Sequence, residues 1–479
     1  VNKKRIATTL FMAFLSEIAN KIVPLVTLHM VAMRLGTVAF GSAQFALWLI
    51  DWGVIFTTFG FMQVAPIMLR DASSDEMRSR VATNVIVSRI GLALVAAIAI
   101  VVCVRDGSPY GIYRDTVYAC GFILLSTALD SIWILLARQR MAIVSAVSIF
   151  VKLASVAAIS WMVEGPEDSL KFVVITCAVN SLISVTSFLI AAKDIGFCKP
   201  SLLGAWNAVR LAFPYALAVL MIVVLEKFDL YLIERKLGLT ATGIYSAASK
   251  LVTSLTPIIA SITTVFYSEM IAHRDRESIY RHLRASLFWV TSICAPIAVG
   301  IWMIDHEILR IIFGAEFTGG AHILSLLTLG AIAYSIILIF GFQLLALQRQ
   351  WLPLLLGLSL GSICGFTSAI LLLPYYGDEG VALSSVIGKW CAAVMILISA
   401  KKAWSLSFGS LLTAMARPSI PALAMGAIVS LLIHYNVLPR QGLAVAATSV
   451  TIYSLFFSLA NAQEARALTA ALWRRTKNW

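Results

Sequence analysis

The chain has 479 residues, of which 60% are hydrophobic and 13% charged, with a formal net charge of +13. A soluble globule of that composition would expose more apolar surface than water tolerates, which leaves an integral membrane protein. The basic excess lies in short segments between apolar runs, so it marks topology and excludes nucleic acid as the partner it would otherwise suggest.

The apolar runs are about 20 to 28 residues long, the length of spanning helices, whereas barrel strands would show roughly 10-residue alternating segments. The chain is therefore predicted to be an all-α polytopic membrane protein. About fourteen spans follow in order, at 6 to 33, 39 to 67, 81 to 103, 116 to 137, 141 to 163, 170 to 192, 208 to 233, 241 to 268, 284 to 304, 321 to 346, 353 to 374, 379 to 400, 417 to 435 and 441 to 460. Lys3-Lys4-Arg5 ahead of the first run resembles a signal peptide, but the run is too long and holds Glu17 and Lys21, so it reads as an uncleaved first helix. The longest interruptions, Lys193 to Asn207, Ile271 to Leu283 and Lys401 to Ala416, are too short for a soluble domain.

Lys and Arg fall unevenly along these connections. With the N-terminus in the cytoplasm, the inner loops hold Arg70, Arg78, Arg80, Arg138, Arg140, Lys193, Lys199, Arg274, Arg276, Arg281, Arg284, Lys401 and Lys402, and the tail holds Arg474, Arg475 and Lys477. Outer loops carry few, chiefly Arg34, Arg105, Arg114, Arg235, Lys236, Arg310 and Arg440, and the outer GPEDSL and YYGDEG connections are acidic. Both termini are thus expected inside a bacterial inner membrane.

The chain also repeats itself. Leu35-Gly36 is followed by Gly41, and Leu237-Gly238 by Gly243 at the same spacing; the helices that follow run to Met68 and Met270 at matching offsets. Two six-helix halves in parallel topology are implied. The expected lobes are 1–193 (spans one to six) and 208–402 (spans seven to twelve), joined by a cytoplasmic linker at 194–207. Peripheral spans thirteen and fourteen occupy 403–460, and a cytoplasmic tail 461–479.

Eleven ionisable residues stand inside the spans: Glu17, Lys21, Asp51, Arg89, Asp130, Lys152, Glu226, Lys227, Asp229, Lys250 and Lys389. Facing lipid they would together cost on the order of 30 kcal/mol, so they must line an interior. Depth is counted from the turns. Lys21 precedes Gly36 by about as many residues as Asp51 follows it, and Glu226 and Lys250 stand likewise about Gly238, so ion pairs between neighbouring spans are feasible. Glu17 and Lys21 lie one turn apart on a single face. Glu17 with Lys21, and Asp51, Asp130, Arg89 and Lys152 among themselves, read either as structural pairs or as part of a transport path. Glu226, Asp229 and Lys250 are more crowded than packing needs and point to transport, and Lys227 stands with them as a coupling or ion-pair residue. Lys389 reads either as a cavity residue or as a snorkelling one. The outer Arg34, Arg235 and Lys236 read as loop charges. The seven cysteines form no CxxC pair and read as small core residues, and no nucleotide-binding loop, metal-ligand cluster or catalytic signature is present, so no cofactor is expected.

Several segments resemble the polysaccharide flippases of the multidrug, oligosaccharidyl-lipid and polysaccharide exporter superfamily: LGTVAFGSAQFA from Leu35, ALDSIWILLARQRM from Ala128 with Trp133, DLYLIERKLGLTATGIYSAASKL from Asp229, and FGAEFTGGAHILSLL from Phe313. GIYSAASKL, Gly243 to Leu251, is the most specific. FYSEM at Phe266 to Met270 departs from the pattern, since relatives often carry a proline near that helix end. The resemblance implies two six-helix lobes, alternating access, and translocation of a polyprenyl-pyrophosphate-linked oligosaccharide to the outer leaflet, with no enzymatic step. Polysaccharide polymerase or glycosyltransferases are the candidate partners besides the bilayer. It implies basic residues meeting the pyrophosphate, here Lys250; Lys21, Arg89 and Lys389 join it on depth and charge alone. The alternatives are a cation-coupled multidrug exporter working through Glu17, Asp51, Asp130, Glu226 and Asp229, and a non-transporting scaffold of a polysaccharide assembly complex.

Overall fold

A computed structural model of the protein describes residues 3–137, 141–272, 275–345, 350–404, 408–435 and 442–461. The described residues form helices and connections with no strand among them: α1 (Lys3–Thr58), α2 (Phe61–Asp71), α3 (Asp75–Cys103), α4 (Arg114–Ala119), α5 (Phe122–Leu129), α6 (Ile132–Ala137), α7 (Met141–Met162), α8 (Ser169–Asp194), α9 (Leu202–Leu237), α10 (Leu239–Thr253), α11 (Thr256–Ala272), α12 (Arg276–Ile312), α13 (Ala321–Ile336), α14 (Trp351–Trp404), α15 (Phe408–His434) and α16 (Gly442–Ala460). The chain is an all-α membrane protein.

Local chemistry sets the starts of these helices. Ser74 caps α3 by accepting from the Met77 N–H at 3.2 Å, with Asp75 and Glu76 in the first turn to complement the helix dipole. Asp275 does the same for α12, accepting from Ser278 at 2.8 Å. Straight, the 56 residues of α1 would run about 84 Å, far beyond the hydrocarbon thickness. The helix breaks instead at Gly36, at φ 67°, and α14 breaks at Gly377, at φ 56°. Gly238, between α9 and α10, stands at φ 84°. The two Leu-Gly pairs of the repeat thus both place glycine where an L side chain would be strained.

Among the described residues, eight helical stretches are long and apolar enough to cross a bilayer, and a ninth is the pair Gly111–Ala119 and Phe122–Leu135, bent by 46°. The number is lower than the expected fourteen because α1 and α14 each hold two of the expected crossings. In addition, α7 and α16 contribute shorter apolar stretches, Ala146–Met162 and Ala444–Ser458, and the eighth expected span is split into α10 and α11 at Ser254.

The chain separates into two compact units, Val1–Val223 with Gly238–Gly243, and Val224–Leu237 with Ile244–Trp479. The α9 helix begins in the first and ends in the second. In the first unit α1 packs on α3, α7 and α8, and α5 packs on α3 and α8. Its apolar core joins Phe61, Ala65 and Leu69 of α2 to Ala82 and Val85 of α3, and to Trp133, Ile134 and Leu135 of α6; Ala208 and Ala212 of α9 complete it. In the second unit α13 packs on α12 and α14, and α15 and α16 pack on α12. Met425, Val429 and Val445 are buried there against Val299, Met303 and Ile304, and the Tyr453 hydroxyl donates to the Ser292 carbonyl at 2.7 Å.

Arg34, expected as a loop charge, closes the end of α7: its Nη1 donates to the carbonyls of Ser160 at 2.7 Å and Val163 at 2.6 Å. These are among the carbonyls a helix C-terminus leaves without partners. Arg34→Ala is expected to lower stability by about 1–2 kcal/mol, and Arg34→Lys by less, read as the unfolding temperature of the purified protein in detergent.

Candidate functional site

The charged groups of the second unit converge on one place. Glu226 and Asp229 are three residues apart on α9 and share a face. After Gly238, α10 presents Tyr245, which is fully buried and whose hydroxyl donates to Asp229 Oδ2. Asp229 Oδ1 accepts from the Leu230 N–H at 2.8 Å, and the residue is 4% exposed. From α14, Ser385 hydrogen-bonds the Tyr245 side chain. Lys389, one turn on, donates from Nζ to Ser385 Oγ at 3.1 Å. The ammonium of Lys389 acts on both Glu226 and Asp229, and Lys227 acts on Glu226.

The lysine reaches this position because α13 has no side chain at Gly330. A methyl group there would lie 3.2 Å from Lys389 Cδ and 3.7 Å from Nζ. Tyr334, one turn further along α13, is within electrostatic reach of Glu226. The arrangement is a pair of carboxylates answered by an ammonium and a phenol, in a setting of apolar helices. It can hold a cation, or move and hold a proton; it offers an anion two negative charges.

The other expected site residues are placed differently. Lys250 is exposed in the last turn of α10, where a cation suits the helix C-terminus, and Lys389 is the lysine beside Glu226. In the first unit Arg89 is fully buried on α3 and donates from Nη1 to the Asp130 carbonyl and from Nη2 to the Thr127 carbonyl, both at 2.5 Å. They lie where α5 stops at Asp130: the Thr127 carbonyl also accepts from the Asp130 N–H at 3.1 Å, and Asp130 Oδ1 accepts from the Ser187 hydroxyl at 2.8 Å and the Ile132 N–H at 3.1 Å. Arg89 therefore holds a broken span together; it is fully buried, and its Nε has no hydrogen-bond partner among the described residues. Asp51 is half-buried on α1 within reach of Cys177, and Lys152 is half-buried on α7. The side chains of Glu17 and Lys21 lie outside the described residues. Tyr245, Ser385 and Gly330 are absent from the sequence-based set. The one signal for Tyr245 was its place in GIYSAASKL, seven residues after Gly238, where Asp229 stands nine before.

The model of the polysaccharide biosynthesis protein family matches residues 6–267, more than half of the chain. That of the lipid II flippase MurJ matches residues 239–440. Among solved structures, the lipid II flippase MurJ in an inward closed conformation is similar at a TM-score of 0.74 and 16% identity, over 95% of this chain and 98% of that one. An inward-facing multidrug resistance MATE family transporter gives 0.56 at 14% identity, over 80% and 94% of the two chains. A MATE transporter of Vibrio cholerae gives 0.54 at 13%, over 86% and 99%. No curated protein matches in sequence.

Removing Lys389 takes away an ammonium that acts electrostatically on both Glu226 and Asp229. Lys389→Ala is expected to destabilise the purified protein by as much as about 3 kcal/mol, and adding Glu226→Gln to recover part of that loss in thermal unfolding.

Proposed function

Because the chain belongs to the polysaccharide biosynthesis protein family, we propose that it is a flippase for surface polysaccharide synthesis. Its cargo is a polyprenyl-pyrophosphate-linked oligosaccharide, carried by alternating access from the inner to the outer leaflet of a bacterial inner membrane. The observation that carries this reading is the fold, which follows a lipid II flippase over 95% of the chain. The multidrug-exporter reading has the weaker likeness, 0.56 against 0.74.

A lipid-linked pyrophosphate needs a cation able to meet it, with donors for its oxygens. Lys250, exposed in the last turn of α10 and inside the GIYSAASKL segment that carries the strongest resemblance, is the basic residue we assign to the head group. Lys250→Ala should keep normal abundance and lose most surface polysaccharide, with lipid-linked intermediate building up inside; Lys250→Arg should keep part of it. Undiminished polysaccharide at normal abundance would remove Lys250 from the site.

The orientation has both termini in the cytoplasm. In a Cys103→Ser background, Glu167→Cys should react with an impermeant thiol reagent in intact cells and Ser73→Cys only after lysis. Both residues are exposed in connections between helices. The opposite labelling pattern would invert the map.

A further inference from the structure

The start of α10 crosses α1 at the glycines of the repeat. A methyl group on Gly41 would meet the Leu239 carbonyl oxygen and lie 2.8 Å from the Gly243 nitrogen; one on Gly243 would meet the Thr37 carbonyl oxygen and lie 3.3 Å from the Gly41 nitrogen. The contact is reciprocal. Thr37 and Leu239 each stand one turn before their own glycine and turn a carbonyl to the glycine of the other helix. With no side chain on either glycine the two main chains touch directly, the close approach that small residues permit between membrane helices. Gly238–Gly243 belongs with this part of α1 to the first unit, and Ile244 onward to the second. Beyond the crossing the fastenings are stronger. Ile244 is gripped by the turn Ala315–Gly320, where a methyl group on Gly320 would lie 2.8 Å from Ile244 Cγ2. Tyr245, next along, donates its buried hydroxyl to Asp229 of α9. On α1, Arg34 ties the turn to the end of α7, and the Phe45 ring centre lies 5.0 Å from that of Tyr113. A carbonyl resting on a glycine Cα is second-order beside a hydrogen bond to a carboxylate, and parting it strands no buried charge.

We propose that the Gly41–Gly243 crossing is the outer seal of the transport path, parting when cargo leaves and re-forming when the chain faces inward. This rests on the transporter reading and the orientation given above, which put Gly36 and Gly238 at outer turns. The two glycines in each half of the repeat then do different work. The first of each pair, at φ 67° and 84°, makes the turn from which the next helix sets out. The second, five residues on, admits the carbonyl of the other helix. Both sides of the seal are main chain, so it opens and closes without a side chain changing rotamer or protonation state. What moves together follows from what is fastened together: the start of α10 leaves with Ile244 gripped by Gly320 and Tyr245 bonded to Asp229, while α1 stays with α7.

The test uses the full chain in intact cells. Ser246, about one turn past Gly243, is 4% exposed, so Ser246→Cys in the Cys103→Ser background reports whether the seal admits an impermeant thiol reagent added outside. With both glycines in place it should react slowly and to completion, because the seal opens in each cycle. Gly41→Ala and Gly243→Ala, which wedge a methyl group against a carbonyl, should each raise that rate at least about tenfold, and the pair together no further than the stronger one alone. Cys177, buried in the first unit, should stay unlabelled throughout. Labelling of Cys177 in step with Ser246→Cys would mean a loosened fold and would overturn the proposal, as would unchanged rates in both alanine variants. Should neither alanine variant accumulate, Ser246→Cys alone decides: slow reaction with Cys177 protected supports the seal, and no reaction removes it. Unchanged rates in alanine variants of a chain that moves a lipid-linked pyrophosphate probe across vesicle membranes would sink the seal and leave the flippase reading standing. Tenfold rises in a chain that moves no such probe would do the reverse.

Discussion

A charge placed in hydrocarbon costs about 2.5–3.5 kcal/mol even on mild insertion scales, so each intramembrane charge here has to be answered within its own bundle. The two units do so with different chemistry. In the first, Arg89 is answered by the main-chain carbonyls of Thr127 and Asp130 at the end of α5, with the Asp130 carboxylate within electrostatic reach. The carbonyls cannot change protonation, and the contact behaves as a staple. In the second, Asp229 is answered by a phenol and an ammonium, both able to give or keep a proton. A side-chain network of that kind can redistribute its charge without breaking the helices that hold it, which suits a moving part.

The sequence made the fold class legible through run length, and the turns through Gly36 and Gly238, whose positive φ is what marks them. The site was legible in part. Counting residues from Gly238 placed the seventh and eighth spans at matching depth, but depth does not fix which way a side chain faces. Twelve residues are three and a third turns of helix, so Lys250 leaves the face it starts from, whereas the seven residues to Tyr245 come to nearly two full turns. Lys389 was seen as a buried charge, but its partners could not be, because nothing in the chain says which span packs beside α9 or that Gly330 opens the space. The break at Asp130 was hidden for a similar reason. The apolar run continues on both sides of it, and its stabilising arginine sits in another span.

The last two described helices show the complementary case. α16 carries no charge and α15 a single arginine, Arg417, and the two hold to α12 through Met425, Val429 and Val445 and two tyrosine hydroxyls, Tyr453 on the Ser292 carbonyl and Tyr280 on Ser410. Their attachment depends on fit more than on charge, since lipid tails compete equally well for apolar side chains.

The Arg89 staple also bears on how the chain enters the membrane. Arg89 is made 41 residues before Asp130 and 38 before Thr127, and a ribosome adding about 5–20 residues per second needs roughly 2–8 s to supply those carbonyls. During that interval the third span carries a guanidinium with no acceptor beside it. The third span is apolar enough to carry that cost alone for a few seconds, so the contact that joins α3 to α5 closes only once α5 has been synthesised and has broken at Asp130.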